Sequence, residues 1–414
     1  MKQTASKKHQ WLRVKQIAVA SAAFAMLAAC GGGSDNNNSS STPAGGVKLQ
    51  VVSFGDSLSD VGTYAPVIQA SFGGGRFTTN PGEVWTQKVA EYYGDTLKAA
   101  YLGGFGQPLV AAGGNGYAQG GSDVVNAEGQ GWAPDNMAAT TVPVVTQVSN
   151  YLGAHTSFNS NQLVLVNGGA NDIFQFAGTT ANLTALATAL TTQFPLLVKA
   201  GKLPNTQAGQ VMFIAGYLQA LPDPQIAQAA AALAAQVQTI VSSGATHVVV
   251  STVPDIGNTP LGVAAEAATP GSAALLSGIT AAYNGMLEAA LAQTQGTTGK
   301  VIVVDAFSWI DQQLQNYQAL GFTVPNTGTA CNLSSMVANA TAYATANPAA
   351  TNGLTAAQYG SQFGSSLFCS PQTYTVAGAD QTYMFADTVH PSTHLHALFA
   401  QYVEQQIAAT GLGK

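Results

Sequence analysis

The sequence predicts an α/β fold, a three-layer α/β/α sandwich around a central parallel sheet of about five strands. Short, β-branched, apolar runs alternate with longer helical segments, a pattern typical of a parallel sheet covered by helices on both faces. Composition supports the same prediction. The 414 residues are 46% hydrophobic and only 8% charged, so the chain can bury one large core.

Four apolar runs predict the main strands, because each is rich in β-branched residues and bounded by Gly-rich or polar sequence. They are residues 47–53, 163–168, 246–251 and 300–305. The Gly-rich segment 111–122 is interpreted as a tight passage from strand to loop. Helices are expected at residues 83–93, 225–241, 281–292 and from Pro391 to about residue 408.

Residues 1–29 are predicted to be a signal peptide, in which a basic stretch precedes a short apolar run, Ile17 to Ala29. The sequence Leu27-Ala28-Ala29-Cys30 resembles a bacterial lipobox. That resemblance implies cleavage before Cys30 and acylation of this cysteine. The alternative is an ordinary signal peptide, for which Cys30 is incidental.

Residues 30–46 are predicted to be a flexible polar tether. Residues 47–414 are expected to form a single domain with loop insertions at about 123–141 and 311–380. Gly31 after the cysteine resembles lipoproteins sent to the outer membrane. The expected location is therefore an outer-membrane anchor facing the periplasm or the cell surface, with secretion as the alternative.

Charge argues against a nucleic-acid partner. The formal net charge of −6 becomes −11 once the five basic residues of the signal segment are removed, and Arg76 is then the remaining arginine. Nucleic-acid binding needs clustered Lys and Arg to neutralise phosphates. The same shortage argues against a basic patch that attracts anionic lipid head groups.

Candidate catalytic residues lie at two distant places. Ser57 follows the first predicted strand in the sequence Gly55-Asp56-Ser57-Leu58, and open α/β sheets hold their ligands at such strand ends. Asp387 and His390 lie three residues apart near the C-terminus. Together these residue types supply a nucleophile, a general base and a group that orients the base.

At this point the chain resembles the GDSL, or SGNH, family of serine esterases and lipases. Four blocks match in family order: Gly55-Asp56-Ser57-Leu58, the segment 115–122, Gly169-Ala170-Asn171-Asp172, and Asp387 to His390. By resemblance Ser57 is the nucleophile and Asp387 and His390 complete the triad. The oxyanion hole would comprise the backbone N–H of Ser57, the backbone N–H of Gly120 and the Asn171 side chain. The backbone N–H of Gly121 is the nearest alternative to that of Gly120.

The resemblance implies a flavodoxin-like SGNH-hydrolase fold and hydrolysis of a small-molecule or lipid ester through an acyl-enzyme. It implies neither metal nor organic cofactor, and we expect a monomer. A phospholipase, a lipid acyltransferase using the same serine and a polysaccharide deacetylase stay open as alternatives. A further alternative, from another class, is an inactive surface lipoprotein that only binds glycan or lipid.

Two remaining features concern cysteine and histidine. Cys331 and Cys369 lie in the insertion, and an even pair in an exported chain usually forms a disulfide. His390, His394 and His396 could suggest a metal site. Their spacing lacks the H-E-x-x-H acid, and positions i+4 and i+6 do not share a helix face, which argues against such a site. His396 resembles a histidine often seen in the family's C-terminal helix and is therefore interpreted as structural.

Overall fold

The computed structural model describes residues 42–104, 107–127, 141–351 and 353–414. The predicted signal peptide, Cys30 and residues 30–41 of the predicted tether lie outside the described residues. So does most of the predicted loop at 123–141. The predictions made for these segments stay predictions.

Four parallel strands form the central sheet in the described part of the chain, in the order β1-β4-β5-β6. A separate antiparallel pair comprises β2 and β3. The strands are β1 (Gln50–Phe54), β2 (Tyr101–Gly104), β3 (Gln107–Ala111), β4 (Gln162–Val166), β5 (Val248–Ser251) and β6 (Val301–Val304).

The sheet therefore has one strand fewer than the five predicted. Beyond β1, a single parallel bridge joins Ser53 to Gly116 in place of a further strand. Gly113 adopts a left-handed backbone with φ 75°, and a β-carbon on Gly114 would lie 2.2 Å from the Lys98 carbonyl oxygen. The segment is thus too bent and too close to its neighbour to continue as a regular strand.

Helices surround the sheet and fill the long connections. In chain order they are α1 (Ala65–Phe72), α2 (Trp85–Tyr92), α3 (Val144–His155), α4 (Ala170–Ala177), α5 (Thr180–Thr192), α6 (Phe194–Lys199), α7 (Gln207–Gln219), α8 (Gln225–Ser242), α9 (Pro260–Ala268), α10 (Ser272–Leu291), α11 (Ala306–Gln315), α12 (Leu333–Ala346), α13 (Ala356–Phe363), α14 (Ala379–Thr382) and α15 (Thr393–Ala408). Short 3-10 turns occur at Ser57–Ser59, Ile256–Asn258, Tyr317–Leu320, Pro348–Ala350 and Ser366–Phe368.

The two faces of the sheet bury two separate cores, which confirms the three-layer sandwich. Along β4, Val164 and Val166 belong to one buried cluster, whereas Leu163 and Leu165 belong to the other. Side chains from α3, α8 and α10 complete the first cluster, and side chains from α2 and α15 complete the second. Fully burying one such apolar side chain stabilises the fold by about 1.5–3 kcal/mol.

The insertion predicted at 311–380 is more regular than its sequence suggests. It contains the second half of α11 and the helices α12 and α13, and the last two pack against each other. The prediction of an irregular loop was wrong because Ala, Asn and Thr dominate this segment. Such residues give only a weak helical periodicity of apolar positions. Tertiary packing, rather than the sequence pattern, therefore determines that these segments are helical.

The predicted disulfide between Cys331 and Cys369 is formed in the structure. Both cysteines are fully buried in a cluster that includes Tyr64, Phe77 and Phe368. In the chain-entropy model, closing a loop of this length contributes roughly 3–4 kcal/mol to stability. The bridge therefore joins two parts of the insertion, which the buried cluster packs against Tyr64 and Phe77.

One stretch of the described residues has the length and composition of a membrane span. It runs from Thr180 to Lys199 with a hydropathy of 1.2, and 17% of it is buried. The stretch comprises α5 and α6, which meet at Gln193. Length and composition alone are weak evidence, and we assign the stretch no role in a membrane.

Candidate active site

Ser57 lies immediately past the carboxyl end of β1, in a turn that neighbouring side chains hold firmly. Gly55 has φ 155°, and a β-carbon there would lie 2.0 Å from Asn167 Oδ1. The Gln147 side chain brackets this glycine, accepting from its N–H at 2.9 Å and donating to its carbonyl at 2.8 Å. Asp56 caps the Ser57–Ser59 turn by accepting from the Leu58 N–H at 3.0 Å.

The structure brings Ser57, His390 and Asp387 into one line of hydrogen bonds. Ser57 Oγ lies 2.9 Å from His390 Nε2, and His390 Nδ1 lies 2.7 Å from Asp387 Oδ2. Ser57 and His390 are 333 residues apart in the chain. The arrangement allows His390 to take a proton from Ser57 while Asp387 orients the imidazole.

Asp387 is buried and still favours its ionised form. Burial alone would raise its pKa, but the charge of His390 and hydrogen bonds from His390 and the backbone outweigh that effect and hold the pKa well below the usual range. Its Oδ1 accepts from the N–H groups of Val389 and His390 at 2.9 and 2.8 Å. Its Oδ2 also accepts from the Ser366 N–H at 2.6 Å.

The imidazole of His390 is fixed from a second direction. The Phe77 ring lies over it with 5.2 Å between ring centroids and 38° between planes. The His390 carbonyl also accepts from the Ala386 N–H at 2.8 Å, which closes the loop that carries the histidine. These contacts restrict the ring to the orientation in which both of its nitrogens face their partners.

Asn171 lies in the first turn of α4, close to the carboxyl end of β4, and is buried. Its Nδ2 donates to the Ser122 carbonyl at 2.8 Å. This contact ties Asn171 to the turn Gln119–Ser122, which we call the glycine turn because Gly120 and Gly121 are its central residues. The structure thus brings Asn171 and the predicted glycine segment together.

The structure contradicts the predicted role of the Gly120 N–H. That N–H donates to Asp60 Oδ2 at 2.9 Å, so it is occupied by a carboxylate that is fully buried and needs donors. The Gly121 N–H is the next donor in the turn and has no acceptor among the described residues. Gly121, the competitor named from the sequence, is therefore the better candidate.

A narrow apolar cavity of about 70 Å³ adjoins Ser57 and His390. Trp85, which lies in the core of the α2 layer, forms part of its wall. The other large apolar side chains of the wall are Leu58, Phe174, Val253, Ile256, Trp309, Ile310, Phe385, Val389, Leu395 and Phe399. Such a surface can bury an apolar group attached to the carbonyl that Ser57 would attack.

His394 and His396 have partners away from His390. His394 Nδ1 lies 2.7 Å from the Gln381 carbonyl, and His396 Nδ1 accepts from the Trp85 N–H at 3.3 Å. Burial lowers the pKa of His396 to about 3, so this ring is neutral at physiological pH. Among the described residues, no three His, Cys, Asp or Glu side chains are grouped so that they could hold a metal ion.

A sequence model of the GDSL-like Lipase/Acylhydrolase family matches residues 51–403. The chain belongs to this family. The family indicates a hydrolase of ester or lipid substrates, in agreement with the four-block resemblance. A comparison with curated protein sequences finds no match.

Several residues that support this GDSL hydrolase site could not be identified from the sequence motifs. Ser366, in the insertion, supplies an N–H to Asp387. Asn167 donates to Asp56 Oδ1 at 2.7 Å and accepts from the Ser59 hydroxyl at 2.6 Å. The position of Asn167 directly after a buried strand was the one sequence feature that could have indicated its role. No sequence feature indicates the role of Ser366, because a backbone N–H is present in nearly every residue.

Two carboxylates lie close behind the glycine turn. Asp172 Oδ2 accepts from the Val124 N–H at 3.1 Å, and Asp123 Oδ2 accepts from Gln175 at 2.6 Å. Burial raises the pKa of both carboxyls, and the charge of Asp172 raises that of Asp123 further. Asp172 therefore supports the segment that follows the glycine turn, and both carboxyls favour their protonated forms.

We expect Asp123→Asn to stabilise the protein more at pH 8 than at pH 5. A raised pKa means that the folded state binds more protons than the unfolded state above the ordinary carboxyl pKa, so stability falls as the pH rises. Asparagine mimics the neutral acid and can still accept from Gln175. The expected gain in unfolding free energy is about 1–2 kcal/mol larger at pH 8, measured by urea unfolding.

The exposed Asp223 offers a matched control. Asp223→Asn should change stability equally at the two pH values. If Asp123→Asn behaves in the same way as this control, the carboxyl of Asp123 does not take up a proton on folding.

Proposed function

We propose that this GDSL hydrolase cleaves carboxylic esters with Ser57 as its nucleophile. The observation that carries the proposal is the line of hydrogen bonds from Ser57 through His390 to Asp387. Such a line serves no evident structural need, because the Ser57 hydroxyl and the His390 ring lie beside an open cavity. It is the arrangement that nucleophilic catalysis requires.

In the proposed reaction, Ser57 Oγ attacks the ester carbonyl carbon while His390 Nε2 takes the hydroxyl proton. The tetrahedral intermediate collapses, His390 gives this proton to the leaving alkoxide, and the acyl group stays on Ser57. Water then attacks the acyl carbonyl while His390 takes one of its protons. The bond between Ser57 Oγ and the acyl carbon breaks, His390 returns the proton to Ser57 Oγ, and the carboxylic acid leaves. Asp387 stays ionised throughout and stabilises the imidazolium.

The oxyanion would be held by the backbone N–H of Ser57, the backbone N–H of Gly121 and the side chain of Asn171. Support for this set comes from the Asn171 contact with Ser122, which places the amide at the glycine turn. Losing one such donor typically costs about 3 kcal/mol of transition-state stabilisation.

We expect Ser57→Ala to lower the hydrolysis of p-nitrophenyl butyrate by at least about 10³-fold, because the acyl-enzyme cannot form. The measurement is the steady-state rate of a protein that starts near Val47, with folding checked by circular dichroism. Ser392→Ala offers a control, since Ser392 caps α15 and lies outside the proposed triad. Equal rates for wild type and Ser57→Ala would refute the proposal.

We also propose that the acyl group is short. An apolar cavity of about 150 Å³ holds a benzene molecule, and the cavity beside Ser57 measures about 70 Å³. It can therefore bury only a few methylene groups, each worth about 0.8 kcal/mol. Longer chains would extend beyond the cavity and gain little.

In a p-nitrophenyl ester series from acetyl to palmitoyl, we expect kcat/KM to be highest at butyryl or hexanoyl. The palmitoyl ester should react at least about tenfold more slowly, because its additional methylenes find no apolar surface. The Ser57→Ala protein supplies the background for each ester. An optimum at palmitoyl would contradict a short acyl group and favour a lipase.

An acyltransferase that uses the same serine is the second candidate, and a phospholipase is a third. The acyl-enzyme would be common to all three, with an alcohol replacing water in acyl transfer. Adding glycerol or a long-chain alcohol and analysing the products separates transfer from hydrolysis. Hydrolysis is the simpler proposal because the reaction then needs only water as its second substrate.

We further propose export and an N-terminal lipid anchor at Cys30. The formed Cys331–Cys369 disulfide supports export, because such bonds persist in oxidising compartments. We expect Cys30→Ala to move the protein from the membrane fraction to the soluble fraction of expressing bacteria. If mass spectrometry of the membrane-bound wild type finds an N-terminal peptide without acyl groups, that result would contradict the anchor.

A further inference from the structure

We propose that Tyr64 is a positioning residue for the oxyanion hole, where it acts together with Asp60 by fixing the peptide that carries the Gly121 N–H. This inference rests on the proposed function. No motif points to Tyr64, which lies seven residues after the nucleophile at the start of α1. The evidence is the set of hydrogen bonds that hold the glycine turn.

Both polar atoms of Gly120 are bound by buried side chains. The Tyr64 hydroxyl donates to the Gly120 carbonyl oxygen at 2.9 Å, and Asp60 Oδ2 accepts from the Gly120 N–H at 2.9 Å. Tyr64 is 1% exposed and Asp60 is fully buried. The two peptide groups on either side of the Gly120 Cα are thus each held by a hydrogen bond to a buried side chain.

The hydrogen bond to the Gly120 carbonyl determines where the Gly121 N–H points. These two groups belong to the same planar trans peptide, so they point in opposite directions. With its carbonyl bound to Tyr64, the peptide must direct the Gly121 N–H away from the tyrosine. Gly121 has φ 86°, and Ser122 N donates to the Gln119 carbonyl at 3.2 Å, as in a type II turn.

Asp60 connects this turn with the nucleophile. It follows the Ser57–Ser59 turn, and its own N–H donates to the Ser57 carbonyl at 3.4 Å. Its Oδ1 accepts from the N–H groups of Gly62 and Thr63 at 2.9 and 2.8 Å. One carboxylate therefore sets the distance between the Ser57 turn and the glycine turn.

Packing at Gly120 leaves the turn little room to move. A β-carbon on Gly120 would lie 2.0 Å from the Phe77 ring, which also contacts the rings of Tyr64 and His390. A hydrogen bond to a carbonyl also polarises its peptide and strengthens the N–H on the other side. Tyr64 therefore orients the Gly121 donor and makes it stronger before substrate binds.

The test is Tyr64→Phe, which removes the hydroxyl and keeps the ring against Phe77. We expect kcat for p-nitrophenyl butyrate to fall about tenfold with KM within twofold of wild type, because the lost interaction matters in the transition state. This is less than the 10²–10³-fold typical of deleting a donor, since the N–H remains. The inhibition constant of an alkyl boronic acid, which forms a tetrahedral adduct with Ser57, should rise by a similar factor.

Tyr151→Phe is the matched control. Tyr151 is equally buried, and its hydroxyl bonds to Gln162 at the opposite end of β4 from Asn167. The control should lose stability to a similar degree and keep kcat and boronate inhibition. A purely structural role for Tyr64 would give the same result for both variants.

Hydrogen–deuterium exchange gives a readout that does not depend on turnover. We expect the peptide containing Gln119–Ser122 to exchange faster in Tyr64→Phe and to be unchanged in Tyr151→Phe. Unchanged kcat, boronate inhibition and exchange in a folded Tyr64→Phe protein would overturn the inference while leaving the proposed function intact. Absence of Ser57-dependent hydrolysis in wild type would instead overturn the proposed function and this inference with it.

Discussion

Keeping the Asp387 carboxylate ionised in a buried position is the constraint on which the site depends. A buried charge is costly unless donors surround it. Asp387 meets this need with the His390 ring and with N–H groups from Val389, His390 and Ser366. The Ser366 donor links Asp387 to the insertion, and the disulfide at Cys369 follows this donor by three residues.

The main features of fold and site could be predicted because they leave marks in the sequence. Buried parallel strands are uniformly apolar, and Ser57, Asn171 and His390 follow strand ends or precede a helix. The choice between Gly120 and Gly121 could not be made in this way. It depends on which N–H donates a hydrogen bond to the buried Asp60, and this contact joins segments that are 60 residues apart in the chain. The helical insertion was missed because Ala-rich sequence carries little periodicity.

Polar and apolar groups are separated sharply around Ser57. The cavity wall is largely apolar. The polar side chains near the β1 end form hydrogen bonds with one another, since Asn167 contacts both Asp56 and Ser59. The Trp85 indole also donates to the Ser59 hydroxyl at 3.1 Å. Because these contacts occupy Asp56 Oδ1, the Ser59 hydroxyl and the Asn167 amide, those groups do not compete for the ester. The low polarity of the cavity also strengthens the electrostatic interactions of the few groups that face the reacting carbonyl.

The carboxylates at this edge of the sheet show how environment alone assigns different roles to one functional group. Burial raises the pKa of Asp56, Asp60, Asp123 and Asp172, and only Asp387 among these five has its pKa lowered. Each receives hydrogen bonds, so donors alone do not explain the difference. Asp387 differs in its direct hydrogen bond to the His390 imidazole, which can carry a positive charge. A carboxylate held in its ionised form against His390 stabilises the imidazolium that forms when Ser57 loses its proton.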